Sequence, residues 1–494
     1  MPVSSDSPVI VLCVSGYLAV CFLIGIWAMR RTRGSADFFL AGKSLGPLVV
    51  VLATMSSIMS GFGFVGGPGL VFDSGASSFW MTFAASFSMP LGAIMVGKRL
   101  RLLAESRDVL TLPDAVAARY GGRWPRFAMA IAILLGVLGY LGTQVMAIGI
   151  VLVAVFGVEL PLALLIGLGV LAFYSVAGGI LASVYTDLFQ GLLMIGVSIA
   201  VCVIAIQAAG GLHEIGATLW NMDPEFLGPW GTRGPLTALS WWVLFVIGGV
   251  GQPHGITKYM MLRKISDLKW IGLMTGPCYA LLALLWISIG VSMRTLVEKG
   301  VQSPLESPDL AAPVFLLSYT PELLAGVAFA GLLAAIMSTA DSFLNLGAAA
   351  LVRDIPTALL GRPLKHELRW SRIATGVLLV ASALFAVYME SLIALLGTFG
   401  WGTFAAAIVP SIAIGLNWKR ATGAACVASI GVSIVLNFAL ELSARHGLYS
   451  LPNGMAVGCV SLLAAIGVFV AVSWFGPRPD DGAMPADVRA AMEI

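Results

Sequence analysis

Residues 55–70 read MSSIMSGFGFVGGPGL, and how this stretch is read decides the fold. It lies inside an apolar run, roughly 46–72, that is long enough to cross a bilayer. Yet it carries Gly61, Gly63, Gly66, Gly67, Pro68 and Gly69. In a helix interior each glycine costs about 1 kcal/mol relative to alanine, and a proline about 3 kcal/mol. A regular helix cannot continue through such a cluster, so the span is expected to open, with Gly61, Gly66, Gly67 and Pro68 marking the break. The freed amides and carbonyls cannot face lipid and must line a cavity inside the protein. A second stretch, VIGGVGQPHGI at 246–256, repeats the pattern, with Gly249 and Pro253 at its expected opening.

The surrounding chain makes lipid the solvent. Of 494 residues, 59% are hydrophobic and 11% charged, whereas a soluble domain carries about 25% charged residues. A net charge of +3, with no basic run interleaved with aromatics, excludes nucleic acid as a partner. The six cysteines lie singly in apolar stretches, which indicates neither a disulfide framework nor a zinc site. The first apolar run, about 9–29, is followed by Arg30, Arg31 and Arg33, the reverse of the charge order of a cleaved signal, so it reads as a retained span.

Thirteen segments are apolar enough to span: 8–29, 46–72, 76–98, 124–157, 159–177, 181–208, 236–262, 270–295, 313–351, 370–389, 391–417, 421–441 and 451–475. If the N-terminus lies outside, the inner loops collect 24 of the 28 Lys and Arg, leaving Arg233, Arg294, Lys299 and Arg445 outside. This positive-inside bias places the N-terminus outside and the C-terminus in the cytoplasm of a multi-pass cell-membrane protein. The expected organisation is a leading helix and inner loop (1–45), a five-helix unit (46–208), an outer loop (209–235), a second five-helix unit (236–417), two further helices (418–475) and a cytoplasmic tail (476–494). Broken spans at the same place in two units point to an inverted-repeat transporter. The alternative is that the glycines only permit close helix packing.

Polar residues at membrane depth cluster beside these breaks. Segment two carries Thr54, Ser56, Ser57 and Ser60. Segment nine carries AAIMSTADS, 334–342, in which Ser338, Asp341 and Ser342 recur at i, i+3 and i+4 on one helix face. Asp187 lies in segment six. Asp187 and Asp341 are the carboxylates well inside predicted spans, and no Lys or Arg lies in those spans at similar depth. An intramembrane charge is a functional feature by default; unpaired, it takes up a proton or holds a cation. Hydroxyls and broken-helix carbonyls suit a hard cation such as Na⁺. The alternative for the serines is a bond back to the i−4 carbonyl.

At these residues the chain resembles the sodium:solute symporter family, which includes bacterial proline, pantothenate, sialic acid and sugar symporters. The motifs are ADFFLAGKSLGP (36–47), SIMSGFGFVGGPG (57–69), TLPDAVAARYG (111–121), GGILASVYTDLFQG (178–191), GQPHGITKYM (251–260), AAIMSTADSFL (334–344) and NWKRATGAA (417–425). The resemblance implies an all-α membrane protein of 13 transmembrane helices. Its core would be a LeuT-like 5+5 inverted repeat, with one helix before it and two after. It also implies a sodium site made by the carbonyls of Ser56, Met59 and Ala335 and the hydroxyls of Ser338 and Thr339. Asp187 would stand beside it on the release path, and a candidate second sodium site would use Asp187, Ser338, Asp341 and Ser342. The proline branch has an Asp where this chain has Ile58, and a Trp and a Tyr where it has Phe245 and Gly249, so proline does not follow. The solute pocket is expected to use Ser60, Phe62, Phe64, Gln144, Phe245, Gln252 and the glycine-rich stretch GTFGWGTF at 397–404.

The function expected is therefore sodium-coupled symport of a small organic solute, an amino acid or carboxylate, by alternating access. Sodium ions, the solute and the lipid bilayer are the partners, and no obligate protein partner is indicated. Two alternatives share the scaffold: a proton-coupled carrier, and a transporter-like membrane sensor, against which the short tail argues. No nucleophile–base arrangement suggests an enzyme.

Overall fold

The computed structural model describes residues 7–29, 45–107, 109–389, 393–479 and 484–493. The basic loop from Arg30 to Lys43 and most of the 36–47 motif lie outside the described residues. Within them the chain is helical, with one isolated bridge between Leu45 and Leu262. In chain order the helices are α1 (Pro8–Met29), α2 (Pro47–Ile58), α3 (Phe62–Ser74), α4 (Ser77–Ser106), α5 (Leu112–Tyr120), α6 (Arg123–Phe156) and α7 (Leu160–Ala208). They continue as α8 (Leu212–Met222), α9 (Gly234–Gly249), α10 (Pro253–Tyr259), α11 (Leu268–Glu298), α12 (Ala311–Tyr319) and α13 (Glu322–Leu360). The last are α14 (Glu367–Met389), α15 (Ile393–Ile408), α16 (Gly423–Arg445), α17 (Val457–Phe475) and α18 (Ala486–Met492).

Among the described residues, eleven helices are long and apolar enough to span a membrane, or twelve if the bent pair α2–α3 is one span. The expected count of thirteen differs at 159–208. There the predicted fifth and sixth segments fall within one helical element, of which Thr186–Ala208 qualifies as a span and Leu160–Phe173 is shorter. Exposed apolar side chains such as Leu12, Ile94, Leu192 and Leu384 ring the bundle. So much exposed apolar surface is stable only in lipid.

The first break is where α2 meets α3 at 57°. The helix stops at Ile58, and Met59 is extended at φ −75°, ψ 102°. Ser60 Oγ then accepts the amide of Phe62 at 3.2 Å and restarts it. The expectation that Gly66, Gly67 and Pro68 open the helix is corrected. Gly66 and Gly67 are right-handed helical, and Pro68 sits in the first turn of the α segment that follows a π turn at Phe62–Gly66. Gly67 instead permits contact, because a Cβ on it would lie 2.4 Å from Trp286 Cδ2. At the second stretch, α9 ends at Gly249, Gln252 is extended and Pro253 starts α10.

Many of the basic residues collect at one end of the bundle. There Thr111 caps α5 by accepting the amide of Asp114, Asp114 pairs with Arg126 and Arg353, and Arg119 donates to the carbonyls of Gly415, Trp418, Lys419 and Ala421. The tail docks at this basic end as α18, through the Arg107–Asp487 pair and the buried Val488, Ala491 and Met492. At the far end Arg233 pairs with Asp73 and Lys299 with Glu214.

Candidate ion and solute site

Stopping α2 at Ile58 leaves the carbonyls of its last turn without helical donors. The amide that would serve Ser57 O belongs to Gly61, and it donates instead to Gln144 Oε1 at 2.9 Å. Helix α13 supplies the missing partners. Ser338 Oγ donates to Ser56 O (2.8 Å), and Thr339 Oγ1 donates to Ser57 O (2.8 Å) and Ala335 O (2.9 Å). Ser56 Oγ donates to Ser338 Oγ at 3.1 Å. Ser56 and Thr339 are fully buried and Ser338 nearly so. Ser56, Ala335, Ser338 and Thr339 are thus brought together, and Met59 follows them on the broken turn. A hydroxyl that donates here can rotate and offer its lone pairs to a cation. The cluster has the hard-oxygen character that a small cation requires.

Behind this cluster lies a buried ion pair. Lys258 Nζ donates to Asp187 Oδ2 at 2.9 Å, to Ala53 O at 2.6 Å and to Ser57 Oγ. Ser57 Oγ also lies 3.2 Å from Asp187 Oδ2 and 3.1 Å from Ser342 Oγ. The Asp187 side chain is 0% exposed and that of Lys258 2%. The expectation that Asp187 lacks a basic neighbour is therefore corrected. Lys258 follows the second break and reads as loop, but the short helix α10 carries it beneath α2. Asp341 does stay alone: it is 1% exposed, and neither carboxylate oxygen has a hydrogen-bond partner.

On the other side of the first break is an aromatic stack. Phe62 lies parallel to Phe245 (centroids 5.7 Å, 17°) and edge-on to Trp286 (5.5 Å, 89°), and Phe245 stacks on Trp401 (4.7 Å, 18°). Ser60 Oγ and Tyr140 OH are 3.1 Å apart. Gln252 Nε2 donates to Gly248 O and Trp401 O. Ser60, Phe62, Gln144, Phe245 and Gln252 therefore share one region; Phe64 is buried but is not part of the stack. Six buried polar atoms here have no partner: Gln144 Nε2, Gln252 Oε1, both His254 nitrogens, and the indole nitrogens of Trp286 and Trp401. Buried polar groups are otherwise nearly always hydrogen-bonded. Trp286, Tyr140 and His254 were missed from sequence. Trp286 and Tyr140 sit in unbroken apolar segments that carry no local signal, whereas Trp401 lies inside the glycine-rich stretch of segment eleven.

The chain is similar to known proteins. The family model described as "Sodium:solute symporter family" matches residues 38–431. The osmoregulated proline transporter OpuE of Bacillus subtilis (strain 168) is 27% identical over 467 residues, 92% of this chain and 93% of that protein. The sodium/pantothenate symporter of Escherichia coli (strain K12) is 27% identical over 436 residues, covering 86% and 89%. Among solved structures, a Na⁺-coupled sialic acid symporter in a substrate-bound outward-open state matches with a TM-score of 0.77 at 19% identity, over 96% of this chain and 100% of that one. The nucleobase-cation-symport-1 transporter MHP1 matches at 0.51 and 15%, over 93% and 99%. At such identities these two speak to fold alone. The protein is a transporter rather than an enzyme, sodium is its coupling ion, and the chain belongs to the sodium:solute symporter family.

Proposed function

We propose that this symporter imports a small organic solute with a carboxylate or amino-acid head and a flat or aliphatic body across the cytoplasmic membrane. The carrying observation is the set of six unpartnered buried polar atoms around the Trp401–Phe245–Phe62–Trp286 stack. The rings offer apolar faces and a π surface for an ammonium group. The amide of Gln144 and the two indole N–H groups offer donors for a carboxylate. Proline and pantothenate, named for the relatives above, each carry a carboxylate.

Sodium in this reading is held by Ser56, Met59 and Ala335 carbonyls and the Ser338 and Thr339 hydroxyls. It bridges α2 and α13 and stabilises one arrangement of the two halves. Solute then binds beside the breaks, and the five-helix units 46–208 and 236–417, related as an inverted repeat, rock to expose it on the other side. The coupling needs a differential affinity of a few kcal/mol between states. The charge asymmetry puts the N-terminus outside and the basic end in the cytoplasm. A second reading, proton coupling, is favoured by the lone buried Asp341.

A thermal-shift screen of purified protein, with amino acids and small carboxylates in sodium or choline buffer, tests the proposal. Stabilisation by one such class in sodium alone is expected. Reconstituted uptake that ignores sodium and follows a pH gradient would overturn it in favour of the second reading.

A further inference from the structure

Helix α18 is seven residues long, and a helix that short is marginal in water on its own. It forms because it docks. Val488, Ala491 and Met492 recur at i, i+3 and i+4 on one face, and all three are buried, with the helix lying against the basic end of α4. An ion pair fastens it at each end. Asp487 accepts both Nε and Nη2 of Arg107, at 2.5 and 2.9 Å, and Glu493 Oε1 accepts Lys419 Nζ at 2.7 Å.

The two anchors belong to different parts of the bundle. Arg107 caps α4, which packs along α9 and α11. Lys419 lies in the turn after α15, which Arg119 ties to α5, and α5 packs on α6. In the arrangement proposed above, α4 belongs to the first five-helix unit and that turn follows directly on the second. Helix α18 therefore crosses the seam between the two units, as does Asn417 of the same turn, whose Nδ2 donates to Met95 O of α4 at 2.9 Å. The tie is not a buried one. Its side chains are about one-third exposed at Arg107–Asp487 and about half exposed at Lys419–Glu493, so salt reaches both pairs. A contact held by two wet ion pairs and three apolar side chains can let go.

We propose that α18 is an autoinhibitory strap across the cytoplasmic seam. While Arg107 and Lys419 hold it, the two units stay together on that side, and its release precedes opening to the inside. The strap acts on the step that delivers sodium and solute inward without touching either.

This inference rests on the symport reading above, and the test separates the two. Initial uptake is measured in proteoliposomes that hold the full chain. Asp487→Arg sets a like charge against Arg107, and because a surface ion pair is a weak tie the rate should rise about twofold to fivefold. Adding Arg107→Asp to it restores an opposite pair and should return the rate to that of the wild type. Raised ionic strength should bring the wild type towards the Asp487→Arg rate. Hydrogen exchange at 98–107 and 415–422 should quicken in Asp487→Arg and in a chain ending at Pro479, with Glu493→Gln serving where the shortened chain folds poorly. Unchanged uptake in all the loosened variants would overturn the strap. So would a slower rate, or a rise that the charge swap does not reverse. Wild-type uptake that ignores sodium would overturn the symport reading instead, and quicker exchange on loosening the tail would still support the strap.

Discussion

The two helix breaks are built from the same residue types, but their loose backbone groups are satisfied in different ways. At the second, between α9 and α10, the partners are local: Val250, Gly251 and Gln252 amides turn back onto Ile247, Gly248 and Gly249, and the Gln252 side chain closes onto Gly248 O. At the first, between α2 and α3, the partners are borrowed. Ser56 O and Ser57 O are served by hydroxyls of α13, while Lys258 of α10 adds a bond to Ala53 O, a carbonyl one turn earlier in α2. A break that satisfies itself is a stable interruption that shapes a pocket wall. One that borrows hydroxyls ties distant helices together through groups a cation can take over, which is what ion coupling requires. The second break also feeds the first, because α10 exists where it does only because α9 stops at Gly249.

The severest way to break this contrast is to withdraw the loan made by α10. Lys258→Met leaves Asp187 buried without its cation, and loss of one partner of a buried pair costs about 3–5 kcal/mol. Thermal unfolding in detergent should show that loss, and adding Asp187→Asn should recover most of it. No recovery would mean that Lys258 matters through packing rather than charge. Next comes Thr339→Ala, which removes one hydroxyl from the borrowed set. A hydrogen bond to a charged group contributes about 1.5–3 kcal/mol, so sodium affinity should fall roughly tenfold to a hundredfold, read by ²²Na⁺ binding, while stability without sodium falls by about 1–3 kcal/mol because Ser57 O loses its donor.

Gln252→Ala probes the self-satisfied break. It should cost about 1 kcal/mol of stability and raise the solute KM, yet leave sodium affinity measured without solute unchanged. An equal loss of sodium affinity would mean the two breaks are not separable. The smallest effect concerns the far end, where Asp309 accepts the amide of Ile393 at 3.0 Å and Pro308 O lies against Gly69 of α3. Burial pushes the Asp309 carboxyl up to about 6. A carboxyl whose folded pKa is raised stabilises the packed form below its unfolded pKa, and that contribution is lost as pH rises through about 6. Hydrogen exchange at 308–312 should therefore quicken from pH 5 to pH 7 after correction for intrinsic rates, and Asp309→Asn should flatten the dependence.

Much of this was legible without coordinates. Hydrophobic length and the glycine–proline clusters announced a membrane bundle with two broken spans, because lipid offers no partner for free backbone groups. The i, i+3, i+4 spacing of Ser338, Asp341 and Ser342 put oxygens on one face of a helix, because helical periodicity is a local property. One local reading failed for an instructive reason. Gly66, Gly67 and Pro68 look like helix breakers, yet they are helical; Gly67 answers to Trp286, a residue more than two hundred positions away in the chain.

What the sequence determined by itself, then, is the set of groups available at membrane depth: the broken turns, the hydroxyls, two carboxylates and the solvent they live in. Tertiary structure alone decided which of these groups are spoken for. Lys258 reads as part of a basic loop, and only the return of α10 beneath α2 makes it the partner of Asp187. Asp341, of the same residue type, is left without one. The reason is physical. Propensity and periodicity act over a few residues, whereas the state of a buried charge depends on whatever lies within a few ångströms, from any part of the chain.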